Sequence, residues 1–500
     1  MVAIPRLTVR TEYGSVLAVP HRGSLLFRNV PFAAPPFGAL RFLPPRPPEI
    51  WDGLRDGAEP GVGMPQPLFG DPLERYTAPK AQGADALTLE VQTPELGRVG
   101  MPVMVWMHGG GFIGGAGSAP ANDGYAFARS GIVHVSINSR LGIDGYALLE
   151  DSVEHHADNL GLRDQIAALQ WVQRNIAGFG GDASNVTIAG QSTGASSVVY
   201  LLASPAARGL FVRAISQSGS TANWMTTSEA GRVAQLISTI TGREPTAAAL
   251  RNLDFEATSE VVAQALARVY GAAESWGMVG RIPLPFCGVI GTEMLPNSPI
   301  RALAEGSADD IRVLAGTTRD EVSAFFAQRF PGLTLDSPRG QQMLVAMGAD
   351  DATVGNFRRA LGKDATDLAV ASSIATEVWA RRPTLELLRA HRGVNYLYEF
   401  AWQSPFLGES LGSVQGLDLP FSRNDFENMQ EVARGRSLLG KQPSRQLAET
   451  MNTAFVDFVK TGEPGWAPWG TDDRECMRFD DECSLEHGYQ LMEESAGSRR

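Results

Sequence analysis

Short apolar runs alternate along the chain with segments of helical periodicity. Runs such as VMVWM and VTIA are typical of buried strands, and both are followed closely by a glycine-rich loop. The segment LRDQIAALQWVQRNIAGFG instead places Ile166, Leu169, Val172 and Ile176 on one helical face, with Gly178 near the predicted end. Strands that alternate with helices predict an α/β protein with a large, mostly parallel central sheet flanked by helices.

The regions outside this alternation predict additions to the sheet. The first sixty residues are rich in proline and aromatic side chains, and we expect an irregular packed segment with short strands, because each X-Pro step favours extended backbone. Alanine-rich stretches around 228–270 and 338–392 predict helices outside the sheet. No internal repeat or low-complexity block divides the chain, so residues 1–500 are predicted to form a single catalytic domain.

Composition and charge exclude several classes of protein. The 500 residues are 43% hydrophobic and 20% charged, which excludes a disordered or collagen-like chain. The net charge is −12 and no basic cluster stands out, so we expect no nucleic-acid partner. No apolar run approaches the roughly 20 residues of a membrane span. Because Arg6, Arg10 and Glu12 interrupt the segment where a signal peptide would be apolar, we expect a cytoplasmic protein.

Three cysteines, Cys287, Cys476 and Cys483, are too few for a disulfide framework. Cys476 and Cys483 could pair in an oxidising compartment. For a cytoplasmic chain we expect both to be free thiols.

The segment Gly190-Gln191-Ser192-Thr193-Gly194 has the G-x-S-x-G pattern between a predicted strand and a predicted helix. In that context the pattern predicts a nucleophile elbow, a turn that lifts the serine hydroxyl onto a helix N-terminus where N–H groups favour negative charge. A chance G-x-S-x-G in a turn is the alternative. The strand before it and the helix after it favour the nucleophile.

A second glycine-rich segment, His108-Gly109-Gly110-Gly111-Phe112, follows the predicted strand VMVWM. Consecutive glycines allow two backbone N–H groups to point at one place, as an oxyanion hole requires. We predict the amides of Gly110, Gly111 and Thr193 as the oxyanion donors. By itself the segment is equally compatible with a flexible loop.

Segments along the whole chain resemble one family. The sequences FRNVPFAAPPFGALRF, NLGLRDQIAALQWVQRNIAGFGGDASNVTIAGQSTG and FVDFVKTGEPGWAPW are similar to conserved-pattern segments of the type-B carboxylesterases, the group of the cholinesterases and para-nitrobenzyl esterases. The resemblance implies an α/β-hydrolase fold with helical insertions over the active site. It also implies hydrolysis of a small carboxylic ester or related carbonyl compound, without a metal or an organic cofactor.

The resemblance also assigns residues. The strand-end segment Gly316-Thr317-Thr318-Arg319-Asp320-Glu321 is similar to the one that carries the family's catalytic acid, which implies Glu321 in that role. We predict substrate-binding positions at Phe112, Trp224 and Gln191. Trp224 falls where the family places an acyl-pocket aromatic residue, and a tryptophan of the core is the alternative. Arg140 and Asp164 look like the family's buried ion pair.

One position departs from the family pattern. The catalytic histidine lies in a segment like H-A-L-E-L-P-F, where this chain reads QGLDLPF, so Gln415 stands in the histidine position. An amide can donate to Glu321 and accept from Ser192, and we expect it to hydrogen-bond to at least one of them. It cannot take a proton at neutral pH, and losing a triad member costs about 10⁴- to 10⁶-fold in rate.

Three explanations of this departure are open. Gln415 is an engineered substitution in an ordinary esterase, or it is native to a chain whose chemistry has diverged, or another histidine supplies the base. Two alternatives to ester hydrolysis are open with them. One is a non-hydrolytic enzyme such as a cyclase, dehydratase or acyl transferase, and the other is a non-catalytic binding module.

Overall fold

The computed structural model describes residues 7–69, 74–152, 154–271, 276, 284–362, 364–405, 411–427, 439–440, 442–470 and 474–489. An 11-stranded sheet forms the centre of this part of the chain, and its strand order is β16-β15-β14-β13-β10-β9-β7-β8-β6-β4-β3. In chain order the strands of all sheets are β1 (Thr8–Arg10), β2 (Ser15–Leu17), β3 (Val19–His21), β4 (Ser24–Pro31), β5 (Leu54–Arg55), β6 (Thr88–Thr93), β7 (Met101–Met107), β8 (Val133–Ile137), β9 (Gly181–Gln191), β10 (Arg213–Gln217), β11 (Trp224–Thr226), β12 (Gly288–Ile290), β13 (Arg312–Thr318), β14 (Asn395–Phe400), β15 (Cys476–Phe479) and β16 (Ser484–Glu486).

The middle of the sheet is parallel and its edges are antiparallel. Strands β8, β7, β9, β10, β13, β14 and β15 pair in parallel, whereas β16 and the strands β6, β4 and β3 join antiparallel. Each residue of β8 is buried, as expected for a strand covered on both faces. The predicted mostly parallel sheet is therefore confirmed, and the first sixty residues supply the predicted short strands.

Helices flank the sheet and also form the segments that were predicted to lie outside it. They span Glu74–Thr77, Tyr125–Arg129, Gly142–Tyr146, Leu160–Asn175, Thr193–Ala203, Thr227–Thr241, Ala247–Leu250, Phe255–Gly271, Pro299–Ala304, Ser323–Arg329, Pro338–Met347, Asp351–Leu361, Asp367–Thr376, Arg382–Ala390, Leu419–Ser422 and Arg445–Thr461. The alanine-rich stretches are helical, as predicted.

The helix Leu160–Asn175 shows how the sequence pattern becomes packing. Leu169 and Val172, two of the residues at helical spacing, are fully buried in the core. After Asn175 the helix continues as a short 3-10 turn, which ends at Gly180 with a φ of 89°. The helical segment therefore ends near Gly178, as predicted.

A buried ion pair joins this helix to the loop after β8. Arg140 Nη2 lies 2.7 Å from Asp164 Oδ1, Arg140 Nε donates to Asp164 Oδ2 at 2.9 Å, and both side chains are fully buried. The pair predicted from the family resemblance is confirmed. Removing either partner would leave an unpaired buried charge.

All three cysteines are free thiols. Cys287 and Cys476 are buried, whereas Cys483 is exposed. The expectation of free thiols is confirmed, and a bond between Cys476 and Cys483 is not present.

Candidate active site

The register of the central strands brings the predicted site residues to one edge of the sheet. Met107 at the end of β7 pairs with Gly190 on β9. Gln191 at the end of β9 pairs with Gln217 on β10, which in turn pairs with Gly316 on β13. The loops that follow these strands therefore leave the sheet side by side at its carboxyl edge, where ligand sites of α/β folds lie.

Ser192 occupies the predicted turn, and its backbone there is strained. Its φ of 56° and ψ of −125° are unfavourable for a residue with a side chain, and it directly precedes the helix Thr193–Ala203. A Cβ atom on Gly190 would lie 2.4 Å from the carbonyl carbon of Gly194, and one on Gly194 would lie 2.2 Å from Met107 O. Both glycines are therefore required by the close approach of backbone segments around the elbow.

The loop after β7 lies against the elbow. Gly110 and Gly111 have φ values of 126° and 68°, which only glycine adopts readily. A Cβ atom on Gly109 would lie 3.2 Å from Ser192 Cβ, so the glycine loop and the serine are in near contact. The carbonyl of Gly110 accepts the N–H groups of Ile113 and Gly114 at 3.1 and 2.9 Å, which closes the loop into a tight turn.

The third predicted oxyanion donor, Thr193, begins the helix that follows the nucleophile. The first N–H groups of a helix have no acceptor within it, so the Thr193 amide is free to bind an anion there. Its side chain also holds the glycine loop, because the Phe112 N–H donates to Thr193 Oγ1 at 3.3 Å. Phe112 itself is buried, with its ring 4.7 Å from Tyr146 and 5.8 Å from Tyr200.

Glu321 lies just beyond β13 with 3% of its surface exposed. Its Oε1 accepts the backbone N–H of Thr318 at 2.8 Å, whereas its Oε2 has no donor with acceptable hydrogen-bond geometry among the described residues. Burial raises the pKa of Glu321 to about 7, the Ser218 hydroxyl and the Thr318 N–H lower it in part, and the nearby Asp418 carboxyl raises it further. Among the described residues, no cation is paired with this buried carboxylate.

Gln415 is the residue for which the expected contact was wrong. Its backbone N–H donates to the Glu321 carbonyl oxygen at 3.1 Å, which places the segment beside the acid. Its side chain, however, is exposed and forms no hydrogen bond with Glu321 or Ser192. An exposed amide is satisfied by water, so hydrogen bonding does not require it to point into the site.

None of the seven histidines, all of which lie in the described ranges, contacts Glu321 or Ser192 by a hydrogen bond. The nearest in sequence to the site, His108, is buried with its Nδ1 2.8 Å from Gly109 O, and burial lowers its pKa. His391 is held by Asn395 and the Ala308 carbonyl. A histidine that replaces the missing base stays a hypothesis, and no hydrogen bond of the described residues supports it.

The two remaining predicted substrate residues lie in different parts of the structure. Gln191 is buried beside the elbow, and its Oε1 lies 3.0 Å from where a Cβ of Gly109 would be, while its Nε2 lies 3.8 Å from that position on Gly416. Trp224 is half-buried at the start of β11, which pairs with β12. Their contact with substrate, like that of Phe112, stays a prediction.

A buried acid that sequence reasoning missed lies three residues after Gln415. Asp418 Oδ2 accepts Gln217 Nε2 at 2.9 Å and the Tyr398 hydroxyl at 3.1 Å. Burial raises the pKa of Asp418, with the two hydrogen bonds opposing. Its position in QGLDLPF was the available signal. The network fixes the loop after β14 to the end of β10.

The geometry agrees with what comparison with known proteins finds. The model of the carboxylesterase family matches residues 6–494. The chain is 33% identical over 493 residues to the para-nitrobenzyl esterase of Bacillus subtilis, covering 96% of each chain. It is 31% identical over 498 residues to the phenmedipham hydrolase of Pseudarthrobacter oxydans, again covering 96% of each. The chain belongs to the carboxylesterase family.

Solved structures of carboxylesterases share this fold. A carboxylesterase from Geobacillus stearothermophilus superposes with a TM-score of 0.84 and 29% identity, covering 98% of this chain and 100% of that one. A para-nitrobenzyl esterase gives a TM-score of 0.80 and 30% identity, with 98% and 99% coverage. The fold is the α/β-hydrolase fold, and the chain is a serine esterase-type hydrolase by its resemblance to these proteins.

Two features of the described residues bear on partners. No helix in these ranges is both long and apolar enough to cross a bilayer. No group of three or more His, Cys, Asp or Glu side chains in them is arranged to hold a metal ion.

Proposed function

We propose that this carboxylesterase hydrolyses small carboxylic esters through an acyl-enzyme on Ser192, and that Gln415 makes each step slow. The observation that carries the proposal is the strained Ser192 turn in near contact with the glycine loop at the edge of the sheet. A strained nucleophile is kept where function needs it. A non-catalytic binding module would have no use for that strain.

The reaction follows from the site residues in two steps. The Ser192 oxygen attacks the acyl carbon, and the amides of Gly110, Gly111 and Thr193 hold the oxyanion. Collapse of this intermediate expels the alcohol and leaves an acylated serine, which water then hydrolyses. The serine proton passes to water or to the leaving alkoxide, because the amide of Gln415 cannot accept it.

Glu321 has a reduced role in this mechanism. A carboxylate in its position orients an imidazole and stabilises its cation. With glutamine at 415 there is no such cation, and burial raises the pKa of Glu321 to about 7. The remaining rate enhancement comes from the oxyanion hole and substrate binding, roughly 10³- to 10⁴-fold over water.

The proposal includes the place where the protein acts. Two buried thiols and one exposed thiol, none of them in a disulfide, support a reducing compartment, the cytoplasm. Two relatives, a para-nitrobenzyl esterase and a phenmedipham hydrolase, are named for the esters or related compounds on which they act. We infer a small ester-like or carbonyl-containing substrate for this chain.

Labelling with a fluorophosphonate tests the assignment of the nucleophile. We expect slow but stoichiometric phosphonylation at Ser192, and no labelling of the Ser192→Ala variant or of the unfolded chain. Mass spectrometry of the digested protein locates the adduct. A folded chain that stays unlabelled at long times and high probe concentration would favour a non-hydrolytic use of the site.

A further inference from the structure

Gln66, far from the nucleophile in sequence, hydrogen-bonds to the end of the glycine loop. Gly115 N–H donates to Gln66 Oε1 at 2.7 Å, and Gln66 Nε2 donates back to the Gly115 carbonyl at 3.1 Å. The same Nε2 also donates to Met64 O at 3.0 Å, and the Gln66 side chain is buried. One amide side chain therefore satisfies both backbone groups of a single loop residue.

A second glutamine holds the first in place. Gln82 Oε1 accepts the Gln66 N–H at 3.0 Å, and Gln82 Nε2 donates to the Gln66 carbonyl at 3.1 Å. An isolated parallel β-bridge between Gly63 and Gln82 further joins the two segments that carry these glutamines. The two side chains form consecutive two-point clamps, from Gln82 to the Gln66 backbone and from the Gln66 side chain to Gly115.

Gly115 is in contact with the residues that lead into the oxyanion loop. A Cβ atom on Gly115 would lie 2.4 Å from Gly109 O and 2.5 Å from His108 Nδ1. A Cβ on Gly110 would lie 2.1 Å from Gly114 O. Displacing Gly115 would therefore move the peptide units that carry the predicted oxyanion donors.

We propose that Gln66 is a positioning residue for the oxyanion hole, acting through Gly115, with Gln82 as its support. This inference rests on the proposed function, since it assumes that the Gly110 and Gly111 amides hold the oxyanion. Glycine-rich backbone is conformationally free, and a preorganised hole requires that freedom to be removed before the substrate arrives. Four hydrogen bonds from two buried or half-buried amides remove it.

The test compares Gln66→Met with a matched control in a chain that also carries Gln415→His, where the rate is high enough to analyse. Gln173→Leu is the control, because Gln173 Nε2 donates to the carbonyls of Ala183 and Leu210, both at 2.9 Å, away from the site. We expect Gln66→Met to lower kcat about tenfold to a hundredfold with KM nearly unchanged, since losing a whole oxyanion donor costs about 10²- to 10³-fold. Gln173→Leu is expected to leave both constants unchanged.

Binding of an aryl trifluoromethyl ketone separates positioning from general destabilisation. The Ser192 oxygen adds to the carbonyl of this inhibitor and forms a hemiketal whose oxyanion occupies the oxyanion hole. The Ki should therefore rise in Gln66→Met by the same factor as kcat/KM falls. The Ki of the product acid should stay constant. If Gln66→Met does not fold, Gln82→Leu replaces it, with a smaller effect of the same kind.

Hydrogen exchange of the 108–117 segment gives a readout that does not require esterase activity. We expect faster amide exchange there in Gln66→Met of the unmodified chain, and no change in Gln173→Leu. Unchanged exchange in this segment would overturn the proposal, whether or not Gln415→His is active. An inactive Gln415→His chain by itself would count against the proposed function alone. An active Gln415→His chain in which Gln66→Met has the parent kcat and ketone Ki would overturn it as well.

Discussion

At the scale of single residues, Glu321 shows what a missing cation does to a buried acid. Its carboxyl has one backbone donor and an Oε2 atom without a donor of acceptable geometry among the described residues. Burial therefore dominates and raises its pKa to about 7. In a site with a histidinium partner the opposite charge would lower the pKa of the same group.

This raised pKa predicts a pH dependence of stability. In the unfolded chain Glu321 ionises near pH 4.5, whereas in the folded chain it keeps its proton up to about pH 7. The folded state then binds more protons, so the contribution of Glu321 to stability falls as pH rises from about 4.5 to 7. The upper bound of this loss is about 3 kcal/mol.

Glu321→Gln removes the titrating group and leaves other buried acids in place. We expect the free energy of unfolding of this variant, relative to the parent, to increase steadily between pH 4.5 and 7. Denaturant unfolding at several pH values measures that difference. A difference that does not change with pH would show that Glu321 ionises normally in the folded chain.

At the scale of elements, the strand-to-helix turn at Ser192 costs stability and positions the serine side chain. The serine adopts backbone angles that side chains avoid, at a cost of about 1–3 kcal/mol. The turn is held because Ser192 N–H donates to the Gln217 carbonyl at 2.9 Å and β9 is fixed between β7 and β10.

Ser192→Gly is therefore expected to stabilise the fold while removing the nucleophile. Glycine adopts these angles without strain, and we expect a gain of about 1 kcal/mol in the free energy of unfolding. Ser192→Ala is the matched control, since it also loses the hydroxyl but keeps the Cβ atom and the strain. Equal stability of the two variants, measured by denaturant unfolding, would show that the turn is not strained.

At the scale of the whole molecule, what the sequence predicted depends on how local each feature is. The elbow and the glycine loop are each contained in five residues, so their backbone requirements were visible in the motifs. The buried Arg140–Asp164 pair spans two segments and was predicted only through resemblance to a family. The Gln66 clamp on Gly115 joins residues 49 positions apart and no local pattern marks it.

The orientation of Gln415 illustrates the remaining gap. The motif places its backbone correctly, next to Glu321. Its side chain was expected to be drawn in by the acid, but a neutral amide gains little from exchanging water for one protein acceptor. Whether the Gln415 side chain bonds to water or to the site depends on the surrounding folded structure, which the segment QGLDLPF alone does not determine.

If the esterase site of this chain lacks only its base, replacing Gln415 by histidine should restore activity, and a rate measurement on the Gln415→His variant tests this most directly. We expect kcat/KM on a short-chain nitrophenyl ester to rise at least about a hundredfold, with a new inflection near pH 6–7 from the imidazole. Gln415→Asn, the matched control, should stay at the parent level. No gain in Gln415→His, or a parent that already shows fast turnover with a histidine-like pH profile, would contradict an esterase site that lacks only its base.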